Sequence, residues 1–184
     1  MRIKHYGLII GIFLVVFSFL FFGRAQNLYQ LLLIVGLLIG LIFSLTILFS
    51  KESIKSKIFW TIVIIFSVIL QRLSEPILIK SSYLIYLTTH KSELREVNQI
   101  LSTKLGEISV LNDSVIDKSN ILTTVEKEKL SRLRQNLNVY MISKSDNTIY
   151  YGFWGFLDVR LGITYLIDTK PNTILKPLKD NWYY

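Results

Sequence analysis

Residues able to do chemistry are sparse in this chain. His5 and His90 are its two histidines, and neither has a second histidine at the spacing of a metal site. Cysteine is absent, so disulfides and thiolate ligands are excluded as well. The chain has no Gly-x-Ser-x-Gly elbow, no Walker phosphate loop and no His-Glu-x-x-His helix, which removes the common hydrolase, nucleotide-binding and zinc-protease signatures. Arg72 and His90 lie too far apart for a compact Arg/His nuclease motif. Asp158 and Arg160 can pair at a hairpin end or meet a ligand, and the ion pair needs fewer assumptions. No catalytic residue, metal ligand or cofactor is expected.

A binding surface is better represented. Tyr150-Tyr151-Gly152-Phe153-Trp154-Gly155-Phe156 concentrates large rings between two glycines, and glycine in a strand marks a bulge or a close approach of backbone. Alternate strand residues face opposite ways, so some of these rings must fill the core of a small cysteine-free sheet. With that discount, Tyr151, Phe153, Trp154, Asp158 and Arg160 are the candidate binding face. Trp182-Tyr183-Tyr184 at the C-terminus carries the same double meaning.

These residues depend on what anchors them. Tyr6–Phe22, Leu28–Phe49 and Ile58–Leu70 are charge-free apolar runs. About 20 apolar residues at ~1.5 Å each cross the ~30 Å hydrocarbon layer, so residues 1–76 read as a transmembrane region. Its spans are placed at 6–22, 28–49 and 54–73, the last with Lys55, Lys57 and Arg72 snorkelling to the interfaces. Gly36 and Gly40 in the second span make a Gly-x-x-x-Gly spacing that admits a close helix neighbour, in the same chain or in another copy. The first run, ending in Gly23-Arg24-Ala25, also resembles a signal peptide; it is read as a retained anchor.

Basic residues set the orientation. Arg2 and Lys4 precede the first run, Arg24 alone follows it, and Lys51, Lys55 and Lys57 crowd the second loop. The positive-inside rule then puts the N-terminus and second loop in the cytoplasm and everything after Leu73 on the outer face. A short fourth pass at Ile77–Leu87, which contains Lys80, is the competing topology. Residues 1–76 carry +5 of the net +8, so most of the excess charge flanks the spans, where it meets anionic headgroups and argues against nucleic acid as partner. A single alanine, Ala25, against abundant Ile, Leu, Lys and Asn is the bias of an AT-rich bacterial genome.

Beyond the spans, Ser74-Glu75-Pro76 reads as a helix start, and Leu84, Leu87, Leu94, Val97, Leu101 and Leu105 form one apolar stripe, a stalk helix over 77–105. Residues 106–184 read as a small α+β domain. Glu107–Ile116 is a strand interrupted at Asn112-Asp113. Thr123 and Glu126 form a capping box ahead of a helix whose buried face is Val125, Leu130, Leu133 and Leu137. Strands are expected at 138–142, 148–156, 162–168 and 181–184, with turns at Ser145-Asp146-Asn147 and Lys170-Pro171-Asn172. The fold class is therefore three transmembrane helices followed by an antiparallel meander with two helices.

Three function classes follow. The first is a multi-pass protein of a bacterial cytoplasmic membrane that binds a protein partner or itself, as an accessory, regulatory or immunity-type subunit. The second is an oligomeric pore or an effector of a phage-defence system, of CRISPR or abortive-infection type. An enzyme is the third.

Overall fold

The computed structural model describes residues 3–112, 114–156, 159–168 and 175–184. The chain forms two compact units, Met1–Ser82 and Tyr83–Tyr184.

Helices α1 (Ile3–Ser18), α2 (Gln26–Leu48) and α3 (Ile54–Thr89) are each long and apolar enough, α1 with the 3₁₀ turn that follows it, to cross a membrane. That turn, Phe19–Phe21, and Gly23, at φ +78°, reverse the chain so that α1 and α2 form a tight hairpin. Outward positions of α2 are almost all Leu and Ile: Leu31, Ile34, Leu38, Leu41, Ile42 and Leu45 are exposed. Such a surface is compatible with a hydrocarbon-like medium.

Helix α3 departs from expectation. Pro76 does not start a new helix; it sits inside a continuous 36-residue one. Its ring faces outward and α3 tolerates the lost backbone hydrogen bond. The break comes later, at His90 (φ −109°, ψ 27°), and α4 (Lys91–Ser102) follows. There is thus no single helix over 77–105. The C-terminal unit holds three helical pieces, the end of α3, α4 and α5 (Thr124–Asn136), where two helices were expected. Leu94, Val97 and Leu101 are buried as the stripe requires, but Leu105 lies past the end of α4 and is 88% exposed.

Among the described residues seven strands make one antiparallel sheet in the order β2-β1-β3-β4-β5-β7-β6. They are β1 (Ile108–Leu111), β2 (Ser114–Asp117), β3 (Met141–Ser145), β4 (Thr148–Phe156), β5 (Val159–Leu166), β6 (Pro177–Lys179) and β7 (Trp182–Tyr183). The interrupted strand is a hairpin, β1–β2, and Asn112 adopts φ 52° at its turn. Strand β6 was not foreseen. The Lys170-Pro171-Asn172 turn lies outside the described residues.

One sheet face carries the core. Ile108, Val110, Ile142, Ile149, Tyr151 and Ile163 pack with Val97 and Leu101 of α4 and Leu130 of α5, and all are fully buried. Thr123 caps α5 with the reciprocal Glu126 bonds that the sequence predicts. Val125 is 73% exposed, because the buried helical face starts one turn later, at Leu130 and Leu133. Ahead of α5, the enclosed Asp117 carboxylate accepts from the Leu122 N–H at 2.8 Å and lies 3.7 Å from Lys127, which fixes the turn between β2 and the helix.

Candidate functional site

The aromatic strand does not present the residues that simple alternation selects. Tyr151 is fully buried, and its hydroxyl donates to Asn98 Oδ1 at 2.6 Å. Burial pushes its phenol pKa well above the ordinary value. Phe153 also turns toward the helices, stacking on Tyr83 at 5.8 Å and meeting Tyr86 edge-on at 4.4 Å. Tyr184 joins the same cluster through Tyr83, and Trp182 packs on both Tyr151 and Tyr165. The β4–β5 register shifts between Gly152 and Trp154, a β-bulge that sets Phe153 and Trp154 together against Leu161. By register Trp154 shares a face with Leu161, and it is half-buried. Asp158 lies outside the described residues, whereas Arg160 is exposed, opposite Gly155.

The opposite face of the sheet is open. Ile116, Ser109, Ser143, Tyr150, Thr164 and Tyr183 lie side by side across six strands. Leu111, Met141, Gly152 and Gly162 form the adjoining row. The rings of Tyr140 and Tyr150 lie over the two glycines: a Cβ at Gly152 would fall 2.5 Å from the Tyr140 ring, and one at Gly162 2.7 Å from the Tyr150 ring. Glycine here is a seat for a cross-strand aromatic. Ile116 is 50% and Leu111 39% exposed on this face, where a solvated sheet normally carries polar residues. Burial raises the Tyr150 phenol to about 12, helped by Tyr140 and opposed by the nearby Arg160. Among the described residues nothing hydrogen-bonds the Tyr150 hydroxyl.

In the helical unit Gly36 and Gly40 face α1. Their counterpart is a second small-residue pair, Gly7 and Gly11, at the same four-residue spacing, which went unread in the sequence. A Cβ at Gly11 would lie 2.6 Å from the Gly40 backbone nitrogen, and one at Gly36 would lie 2.9 Å from the Gly11 carbonyl. At Gly40 a Cβ would meet nothing within 4 Å, because it points into a cleft of about 260 Å³ between the hairpin and α3.

A polar cluster closes one end of this unit, and nothing in the sequence paired its members. Glu52, between α2 and α3, is in ionic contact with Lys4 and lies 3.3 Å from His5 Nε2. It also accepts from the Ser56 hydroxyl at 2.6 Å, and the His5 ring stacks on Trp60 at 4.5 Å. The Lys4 and Ser56 hydrogen bonds lower the Glu52 carboxyl to about 2. A carboxylate held ionised in this way is a poor proton acceptor and serves as a staple. Among the described residues no group of three or more His, Asp or Glu side chains could hold a metal ion.

No protein-family model matches this chain, and no curated protein or solved structure matches it either.

Proposed function

We propose that this chain is a small multi-pass protein of a bacterial cytoplasmic membrane that acts by binding a protein partner, as an accessory, regulatory or immunity-type subunit without catalysis of its own. The observation that carries this is the open sheet face. All helices of the C-terminal unit are spent on one side of the sheet, and the other side offers Leu111, Ile116, Tyr140 and Tyr150 beside the cation of Arg160. Exposed aliphatic side chains beside partly buried aromatic rings and an adjacent Arg have the composition of an interface centre. The binding face is thereby redrawn from Tyr151, Phe153 and Trp154 to their neighbours of opposite parity, with Arg160 kept.

Three helices long enough to span support the membrane assignment. The basic residues Lys4, Lys51, Lys55 and Lys57 support a cytoplasmic N-terminus and an outer-face C-terminal unit. The competing proposal, an oligomeric pore or phage-defence effector, leaned on Gly36 and Gly40 as an oligomer contact, and their packing against Gly11 within one chain favours the binding reading.

Photo-cross-linking in whole cells tests the proposal. A photoreactive residue at Ile116 or Tyr140 should give one discrete adduct with a protein, lost on Arg160→Glu, whereas the same probe at Glu128 on the exposed side of α5 should give none. Equal adducts from both sides, or none from Ile116 and Tyr140, would contradict it.

A further inference from the structure

We infer that the flank of α3 bearing Arg72 is a docking surface for α3 of a second copy of this chain. The inference rests on the membrane reading above. Depth is fixed by contacts within the helical unit. At one end His5 stacks on Trp60, and Ile47 and Leu48 of α2 line a pocket with that same ring. At the other end Arg24 Nε donates to Ser82 Oγ at 3.2 Å, and Ser82 Oγ donates to the Phe22 carbonyl at 3.1 Å. Trp60 and Ser82 therefore mark the two ends of the α1–α2 hairpin on α3. The helix between them is about 33 Å long at ~1.5 Å per residue, close to the ~30 Å hydrocarbon layer. Arg72 then lies about 15 Å from Ser82 and about 18 Å from Trp60, near the midplane and not at the interface where a span over 54–73 would end, because α3 runs on past Leu73 beside the hairpin. The cleft gives the same level independently, since Gln71 lines it beside Val15 and Gly36, and Gly36 is near the middle of α2.

At this depth the Arg72 side chain is 78% exposed, and among the described residues its ionic contact is Glu75 at 3.5 Å, itself 30% exposed. Ionisable side chains within spans face a protein neighbour or a wet cavity because hydrocarbon cannot solvate them. A second demand falls on the same flank. Pro76 has no N–H, so the Arg72 carbonyl lacks its helical donor. Thr61, Ile65, Val68 and Arg72 follow at steps of four, three and four and are all exposed, with Thr61 and Val68 also edging the clefts toward the hairpin and Ile65 and Arg72 turned further outward.

Charge identifies the occupant as another copy. Arg72 and Glu75 have opposite signs and are one turn apart. Two α3 helices related by a twofold axis along the membrane normal run parallel, so each Arg72 can reach Glu75 of the other copy, giving two reciprocal ion pairs. A foreign helix with a lone carboxylate would satisfy Arg72 and leave Glu75 without a cross-helix partner.

The chain has no cysteine, so a single introduced thiol reports cleanly. Ile65→Cys, oxidised in native membranes, should give a disulfide dimer, and Phe66→Cys, about 100° around the helix, should stay monomeric. Adding Arg72→Glu to Ile65→Cys should lower the dimer about tenfold, and Arg72→Glu with Glu75→Arg should restore it. The inference is overturned if Ile65→Cys stays monomeric, if both thiols link equally, if the charge reversal has no effect, or if the adduct is a different protein. Should Arg72→Glu be degraded, the contrast between the Ile65 and Phe66 thiols decides alone. Alkaline carbonate extraction separates the two levels: a chain washed from the membrane contradicts the membrane reading itself, whereas a retained, unlinked chain contradicts only the dimer.

Discussion

Between α1 and α2 the two backbones approach each other closely at Gly11, Gly36 and Gly40, whereas the innermost positions of the C-terminal unit are Tyr151, Leu101, Ile142 and Leu130. In the sheet unit large side chains leave water, and the stabilisation grows with the apolar area they bury. Where hydrocarbon surrounds the helices, as the proposed membrane setting requires, that gain vanishes, and close van der Waals approach of small residues replaces it. Deleting volume should therefore harm one region, and adding volume the other.

The largest effect is expected at Tyr151. Tyr151→Ala removes a fully buried ring and orphans Asn98, so it should cost about 3–5 kcal/mol, enough to unfold the C-terminal unit in a thermal melt followed by near-UV circular dichroism. Tyr150→Ala, one residue away on the open face, should cost about 1 kcal/mol or less. Similar losses at both would mean that the sheet is covered on both faces.

Adding a methyl group sharpens the other side of the contrast. Gly11→Ala and Gly36→Ala push a Cβ into backbone and should each cost roughly 1–3 kcal/mol, read as a lower melting temperature of the detergent-solubilised chain. Gly40→Ala enters open space and should fall within about 0.5 kcal/mol of the parent. An equal penalty at Gly36 and Gly40 would show that α3 closes on the hairpin.

Smaller effects lie at the edges of the sheet unit. Thr123→Ala should cost about 1 kcal/mol by removing the α5 cap. Glu126, hydrogen-bonded first by Lys104 and then by the Thr123 backbone, has its carboxyl lowered to about 2. A depressed carboxylate contributes stability above its unfolded value near 4.5 that is lost as pH falls toward 2. Glu126→Gln should lower stability at neutral pH and flatten the stability profile between pH 4.5 and 2. An unchanged acid limb would assign that dependence to Asp117, whose carboxyl is also lowered.

Local patterns carried the parts of this fold that local physics decides. Apolar run length gave the three helices, Thr123 with Glu126 gave the cap, and alternation with turn residues gave most of the sheet. Pro76 misled because a proline stops a helix only where nothing else holds it, and α3 runs on to Thr89. The parity of Phe153 and Trp154 was hidden for a different reason: a bulge is a two-strand property, fixed by what β5 places opposite Gly152. Gly7 and Gly11 were legible in principle, since their spacing repeats that of Gly36 and Gly40. The Glu52 cluster was not, because Lys4, His5 and Trp60 meet it only through the fold.

Cysteine accessibility in intact cells tests the central claim most directly, that an odd number of spans separates the basic loop from the binding unit. Lys51→Cys and Glu128→Cys replace exposed residues in an otherwise cysteine-free chain. A membrane-impermeant maleimide added outside should label Glu128→Cys at once and Lys51→Cys only after permeabilisation. Labelling of both positions to the same extent before permeabilisation, or of Lys51→Cys alone, would contradict the account.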